Sequence, residues 1–250
     1  MSSPLKPLKW YKSLSTRKGR LSSGAFLVEG ERAVSQVIAA RPGDIEEILV
    51  VNDIPSVYKG FTIRSLTGSQ FNTISSTRTP QGTAAVVKSP PDIYSSSLPV
   101  EIGDRILLLE NIQDPGNTGT LIRTAAAFGY SGVIMTEKSA DPLSPKCVQA
   151  TAGSILSVWI RRTSGYLNLV RKLQENGYAV IAADLAGPQA PSVLAGQKKL
   201  LLALGNEASG LSSELLEYSD YRIRIPTVRE KAESLNVAAC GAICMYLSSE

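Results

Sequence analysis

The sequence predicts an α/β protein in two parts, a small N-terminal α/β domain over residues 1–90 and a larger parallel-sheet domain over 104–250. Three observations predict it. Between 104 and 250, unbroken apolar runs such as Arg105–Glu110 (RILLLE) and Lys199–Leu204 (KLLLAL) alternate with helical stretches. Strands buried on both faces read as continuous apolar runs, and strand–helix alternation produces a parallel sheet. The stretch KSPPDIYSSSLPVEIGD is rich in Pro and Ser and has little period, so 91–103 reads as a linker. Finally, 250 residues with 43% hydrophobic and 19% charged side chains suit a folded chain of one or two domains.

The elements follow from period and punctuation. Glu31–Ala40 reads as a short helix closed by the Pro42-Gly43 turn. Ile48–Val51 and Thr62–Arg64 read as strands, Gly68–Ile74 as a helical turn, and Gly82–Lys88 as another strand. Beyond the linker come strand Arg105–Glu110, a helix from Thr118 to Phe128, and strand Gly132–Thr136. A helix near Ser144–Thr151 and a short strand at Ser157–Ile160 follow. Helix Tyr166–Asn176 leads to strand Tyr178–Ala183. Strand Lys199–Leu204, helix Ser212–Tyr218, strand Arg222–Ile225 and a final helix Leu235–Leu247 complete the chain. A ligand of such a domain belongs beyond the carboxyl ends of the strands.

Composition excludes several chemistries. There is no histidine, so a Ser-His-Asp triad, a Cys-His pair, a histidine-ligated metal and a histidine base are ruled out. Cys147, Cys240 and Cys244 form no CxxC pair. They read as buried free thiols of a reducing compartment, and no metal is expected. The start, MSSPLKPLKW, lacks the apolar core of a secretion signal, and no run is long enough to span a bilayer. The expected location is cytoplasmic, with no membrane partner.

The net charge of +4 is unevenly placed. Residues 1–30 hold Lys6, Lys9, Lys12, Arg17, Lys18 and Arg20 against the single acid Glu29. With Trp10 and Tyr11 beside them, these cations suit a polyanion, through phosphate contacts and base stacking; a solvated, frayed terminus is the alternative. If the polyanion is RNA, Lys9, Lys12, Arg17, Lys18 and Arg20 are the expected contacts.

Three segments carry the chemistry, each at the end of a strand. NIQDPGNTGTLIRTA leaves one buried strand and enters a helix. Asn117 is expected to cap that helix, whose free amides favour an anion. Arg123, about two turns in on an otherwise apolar helix, needs a partner or an opening onto a groove. LGNEASGL follows a second buried strand and sets Glu207 between two glycines. In the third, IRIPTVREKAESLNVAACGA, Ser234 is expected to cap the last helix, Asn236 lies near its start, and small residues fill its body.

In this order, the segments NIQDPGNTGTLIRTAAAFG, LLALGNEASGL and IRIPTVREKAESLNVAACGAI resemble the SpoU (TrmH) RNA ribose 2′-O-methyltransferases of the SPOUT superfamily. FLVEGERAV and TPQGTAAVV look like the ribosomal-protein-like RNA-binding domain that precedes the catalytic domain in many members. The resemblance implies a C-terminal trefoil knot that binds S-adenosylmethionine, and a homodimer whose two subunits complete the site. By position it implies a cofactor cleft of Leu204, Gly205, Ile225, Pro226, Leu235 and Asn236, bordered by Thr136. It implies a catalytic group of Asn117, Arg123, Glu207, Ser234 and Asn236, with Asn111 a further member and Arg123 also touching RNA. The loop TVREKAE is more charged than the short loop common in the family. The implied reaction is methyl transfer to a ribose 2′-hydroxyl, with 23S ribosomal RNA the expected substrate. A tRNA 2′-O-methyltransferase, a non-catalytic RNA-binding or ribosome-assembly protein and an antibiotic-resistance methyltransferase are the alternatives.

Overall fold

The computed structural model describes residues 6–51, 54–228, 230–231 and 233–249. Arg229 and Ala232, in the charged TVREKAE loop, lie outside the described residues, as do residues 1–5.

The chain folds as two compact units. The first runs to Pro91 and includes Asp141–Leu156; the second is Asp92–Ala140 with Ser157–Glu250.

The first unit begins with two short helices, α1 (Leu8–Ser13) and α2 (Arg17–Ser23), then β1 (Ala25–Glu29). Period alone did not predict these three. They are short, and their basic side chains obscure the apolar face that Tyr11 and Leu14 bury in the core. Helix α3 (Glu31–Ala40) turns Val34 and Val37 inward. Strands β2 (Ile45–Val50) and β3 (Ile63–Ser65), helix α4 (Gly68–Ile74) and strand β4 (Thr83–Lys88) follow. A capping box between Thr67 and Gln70 starts α4. The sheet order is β1-β4-β2-β3, antiparallel except for the β2–β3 pair.

The second unit opens with β5 (Arg105–Leu109), α5 (Pro115–Ala127) and β6 (Gly132–Met135). Helix α6 (Pro145–Thr151) belongs to the first unit. The chain resumes in the second unit with β7 (Trp159–Arg162), α7 (Tyr166–Glu175), β8 (Ala179–Ala183), β9 (Leu200–Leu204), α8 (Ser213–Glu217), β10 (Tyr221–Ile223) and α9 (Val237–Leu247). The six strands are parallel, in the order β10-β8-β9-β5-β6-β7. Strands β5 and β9 lie at the centre. Their side chains, from Ile106 to Leu109 and from Leu200 to Leu204, are buried, as their unbroken apolar runs require.

From β5 the chain builds outward to β6 and β7, then returns on the other side through β8 and β9. The order therefore reverses between β5 and β9. In open parallel sheets a ligand crevice opens at such a switch, beyond the carboxyl ends of the strands.

The Pro- and Ser-rich stretch before β5 packs within the second unit. Ile93 is buried there and its carbonyl accepts from the Arg162 amide at 2.7 Å. Arg161 donates to the Ser97 carbonyl and to the Asp92 carboxylate. The segment thus covers β7, the edge of the sheet, which would otherwise expose unpaired backbone groups.

Candidate active site

The carboxyl ends of β5, β9 and β10 carry the three segments singled out in the sequence. After β5, the chain turns through Asn111, whose φ of 59° is left-handed. A left-handed backbone is costly for most residues and easiest for glycine and asparagine. Thr136 holds it there: its hydroxyl accepts from the Asn111 amide and donates to Asn111 Oδ1, both at 2.9 Å. Helix α5 then starts at Pro115 with Asp114 as its cap, Oδ1 accepting from the Asn117 amide at 2.8 Å. Asn117 is not the cap. It lies in the first turn, which frees its side chain for the cleft side.

The loop after β9 folds back on itself. Asn206 and Gly210 exchange backbone hydrogen bonds at 3.1 and 2.9 Å. Asn206 Oδ1 accepts from the amides of Ala208 and Ser209, and its Nδ2 donates to the Asn111 carbonyl at 2.9 Å. A Cβ on Gly205 would lie 2.4 Å from the Gly210 carbonyl carbon, so this turn demands glycine.

The last helix starts two residues later than expected. Asn236, not Ser234, is its cap, Oδ1 accepting from the amides of Ala238 and Ala239. Capping leaves Asn236 Nδ2 free to donate to Asn117 Oδ1 at 3.1 Å. Asn117 Nδ2 donates in turn to Glu207 Oε1 at 2.7 Å. A continuous line of donors therefore runs from the α9 N-terminus through Asn236 and Asn117 to the Glu207 carboxylate. The positive end of the helix dipole favours that direction.

Beside this line lies a cleft of about 780 Å³, counting the space open to solvent. Leu204, Gly205, Ile225 and Leu235 line it, as do Glu207 and Ser234. Thr136, Pro226 and Asn236, expected at the cofactor, are not among its lining residues. Thr136 is buried against Asn111 and Ser139, and Asn236 is turned to its helix and to Asn117. Residues not expected there include Val237, Arg224 and Cys240. The hydrogen bond with Cys244 holds the Cys240 thiol below its ordinary value. The same bond, with burial, raises Cys244. None of the three cysteines is in a disulfide; Cys147 and Cys244 are buried as expected, whereas Cys240 is half-buried at the cleft.

Arg123 is exposed on α5. It does not line the cleft of its own chain and makes no hydrogen bond or ion pair among the described residues. It is thus separate from the Asn117–Glu207–Asn236 line, in contrast to its expected place in one cluster.

In the first unit Lys9, Lys12, Arg17 and Lys18 are exposed, but Arg20 is buried. Its guanidinium donates to the carbonyls of Leu14 and Ser15 and pairs with Asp141 at 2.6 Å. Arg20 is a structural ion and not an available RNA contact. Tyr11 is likewise in the core, with Arg64 donating to its hydroxyl and Glu47 accepting from it. Trp10 is half-buried and stacks under Lys6, 3.8 Å from the ring centre. Neither ring is the open platform that base stacking needs.

Among the described residues no group of three or more Cys, Asp or Glu side chains is placed to hold a metal ion, and no helix is long and apolar enough to cross a membrane.

The profile of the SpoU rRNA methylase family matches residues 104–246. This chain belongs to that family. The MRM3-like substrate-binding domain profile matches residues 6–85. The chain is 33% identical to a 23S rRNA (guanosine(2553)-2′-O)-methyltransferase of Bacillus subtilis, over 96% of this chain and 94% of that one. Among solved structures it resembles a TrmH-family protein from Porphyromonas gingivalis, with 31% identity and a TM-score of 0.83 over 99% of this chain and 98% of that one. It also resembles an AdoMet-bound rRNA methyltransferase from Sinorhizobium meliloti, with 27% identity and a TM-score of 0.81 over 99% and 96%. The α/β fold and parallel sheet expected from the sequence are those of this family.

Proposed function

We propose that this chain transfers the methyl group of S-adenosylmethionine to a ribose 2′-hydroxyl of ribosomal RNA, with 23S rRNA the first substrate to test. It acts, on this reading, as a cytoplasmic homodimer. The observation that carries the proposal is the donor line Asn236–Asn117–Glu207 beside the cleft at the switch point. The full-length similarity to the Bacillus subtilis 23S enzyme supports the substrate.

The cleft fits the cofactor by its chemistry. Its lining is mostly apolar, with Leu204, Ile225 and Leu235 suited to a purine and a thioether carbon chain. Gly205 keeps a backbone edge open, and the polar groups Glu207 and Ser234 lie at the same site. When bound, S-adenosylmethionine supplies a methyl group already activated by a positive sulfonium. The protein must align the ribose hydroxyl with it and see one proton removed.

Asn117 fixes the Glu207 carboxylate and is itself fixed by Asn236, so each rotamer in the line is defined by the next. Glu207 accepts only from a neutral amide among the described residues, so its second oxygen is available to a hydroxyl or to water. Arg123 carries a guanidinium, a planar cationic donor and not a base. Its part is to orient the hydroxyl and a neighbouring phosphate through its planar donors. Because it is exposed and does not line its own chain's cleft, it serves, on this reading, the cleft of a second copy. The exposed Ile243 and Tyr246 on α9 support that pairing. The trefoil knot belongs to the same reading, supported by the match to the SpoU methylase family. Lys9, Lys12, Arg17 and Lys18 would hold the RNA backbone. The free thiols and the ribosomal substrate support the cytoplasm.

The test is transfer of labelled methyl to total RNA from cells lacking the protein. Label in 23S rRNA as a 2′-O-methyl nucleotide is expected. Label in tRNA would replace the substrate, and RNA binding without transfer would refute the enzyme. Single-turnover rates across pH for Arg123→Lys and Glu207→Gln test the roles. Full activity in Arg123→Lys would refute the orienting fork, and sedimentation as a concentration-independent monomer would refute the dimer.

A further inference from the structure

We infer that Glu110 is a positioning residue for the cleft, acting through the loop between β9 and α8. The inference rests on the cofactor reading above.

Glu110 follows the last residue of β5 and is 1% exposed. Its backbone amide donates to the Leu204 carbonyl at 2.9 Å, which registers it beside the start of the loop. Its side chain reaches the far end of the same loop. Oε2 accepts from the Ser212 amide at 2.7 Å and Oε1 from the Ser212 hydroxyl at 2.6 Å. Oε1 also accepts from the Tyr166 hydroxyl. Ser212 Oγ accepts from the Leu215 amide and so caps α8. One carboxylate thus joins β5, α7 and the first turn of α8.

No cation pairs with it among the described residues. A buried carboxylate in that state persists only where several donors replace water. Three donors on two oxygens are what a carboxylate satisfies and an amide does not, because glutamine would present N–H groups to donors. Desolvation, with the hydrogen bond to Glu110 next, pushes the Tyr166 hydroxyl up to about 12, so Tyr166 is a donor throughout the working pH range.

The tethered loop supplies Gly205, Asn206, Glu207, Ala208 and Gly210 to the cleft. It is pinned at its start by Asn206 to the Asn111 carbonyl and at its end by Ser212 to Glu110. The two pins sit on adjacent residues just beyond the end of the central strand β5. Loss of the Glu110 pin unties the far end of the loop and leaves Glu207 positioned only by the near pin, the Asn206–Gly210 pair and its own bond from Asn117. Misplacement of a reacting group by about 1 Å costs as much as a hundredfold in rate.

The experiment compares Glu110→Gln and Ser212→Ala with wild type in two readouts. Amide hydrogen exchange over 205–212 in the free protein reads the tether itself, and S-adenosylhomocysteine titration reads the cleft. Faster exchange confined to 205–212, about tenfold weaker binding and a further fall in single-turnover rate are expected for Glu110→Gln. Ser212→Ala gives a smaller effect, and the double variant is no worse than Glu110→Gln because both act on one tether. Unchanged exchange over 205–212 would overturn the inference. So would faster exchange with wild-type affinity and rate, since Glu110 would then be structural only. Wild type failing to bind S-adenosylhomocysteine would overturn the cofactor reading itself, and with it any positioning role towards that cofactor.

Discussion

Replacing Gly205 by alanine should damage cofactor binding far more than it damages the fold. The added Cβ would lie 2.4 Å from the Gly210 carbonyl carbon and 2.5 Å from both the Gly210 oxygen and the Leu211 nitrogen. Ordinary contact begins near 3.4 Å, and all three obstacles are backbone, which has no rotamer to yield. The turn must move by about 1 Å, and the reciprocal Asn206–Gly210 hydrogen bonds move with it. Overpacking of this kind costs about 1–3 kcal/mol, or a melting temperature lower by roughly 6 °C for a chain of this size. Gly177→Ala is the matched control. Gly177 does not line the cleft; it has φ 81° and nothing within 4 Å of an added Cβ, so alanine there meets only left-handed strain of about 1–2 kcal/mol. The two variants should therefore melt within a few degrees of each other. They should separate in S-adenosylhomocysteine affinity, measured calorimetrically. Gly205→Ala displaces a wall of the cleft and should bind about a hundredfold more weakly, while Gly177→Ala stays within a fewfold of wild type. Wild-type affinity in Gly205→Ala would refute the argument that this backbone contact shapes the cleft.

Three further comparisons follow from the same structure. Asp114→Ala should cost about 1 kcal/mol by uncapping α5, visible as a lower melting temperature; Asn117→Ala, which removes no cap, should leave stability nearly unchanged and lower the single-turnover rate by at least about tenfold. Arg20→Met strands Asp141 and should destabilise the protein by about 3–5 kcal/mol in urea; Lys9→Ala with Lys12→Ala should spare stability, weaken RNA binding and flatten its salt dependence by about one unit per lost phosphate contact. Tyr166 has a raised hydroxyl pKa, so its contribution to stability is complete below pH 10 and is lost as pH rises through about 12; Tyr166→Phe should remove that part of the alkaline stability loss, followed by denaturation at stepped pH.

Local chemistry made much of this protein legible before any tertiary structure. The central strands are visible because residues buried on both faces are apolar without interruption, and α3 because the Pro42-Gly43 turn closes it. The family resemblance carried by the three motifs implies Leu204, Gly205, Ile225 and Leu235 at the cleft and groups Asn117, Glu207 and Asn236. The first helices and β1 escaped because six basic side chains within thirty residues dominate the pattern there, hiding how Tyr11 and Leu14 enter the core.

Other features belong to the tertiary structure alone, because they depend on groups distant in sequence meeting in a desolvated place. Arg20 reads as an RNA contact until Asp141, 121 residues away, is seen to bury it. Which residue caps a helix turned on backbone geometry that several polar candidates could have satisfied, so Asp114 and Asn236 displaced Asn117 and Ser234. That displacement freed the Asn117 side chain to bridge Asn236 and Glu207, across separations of 119 and 90 residues. Glu110 ended an apolar run and gave no sign of its three donors. A sequence records which groups are present and how often they recur; which buried carboxylate faces which hydroxyl is decided only when the sheet order brings β5 beside β9.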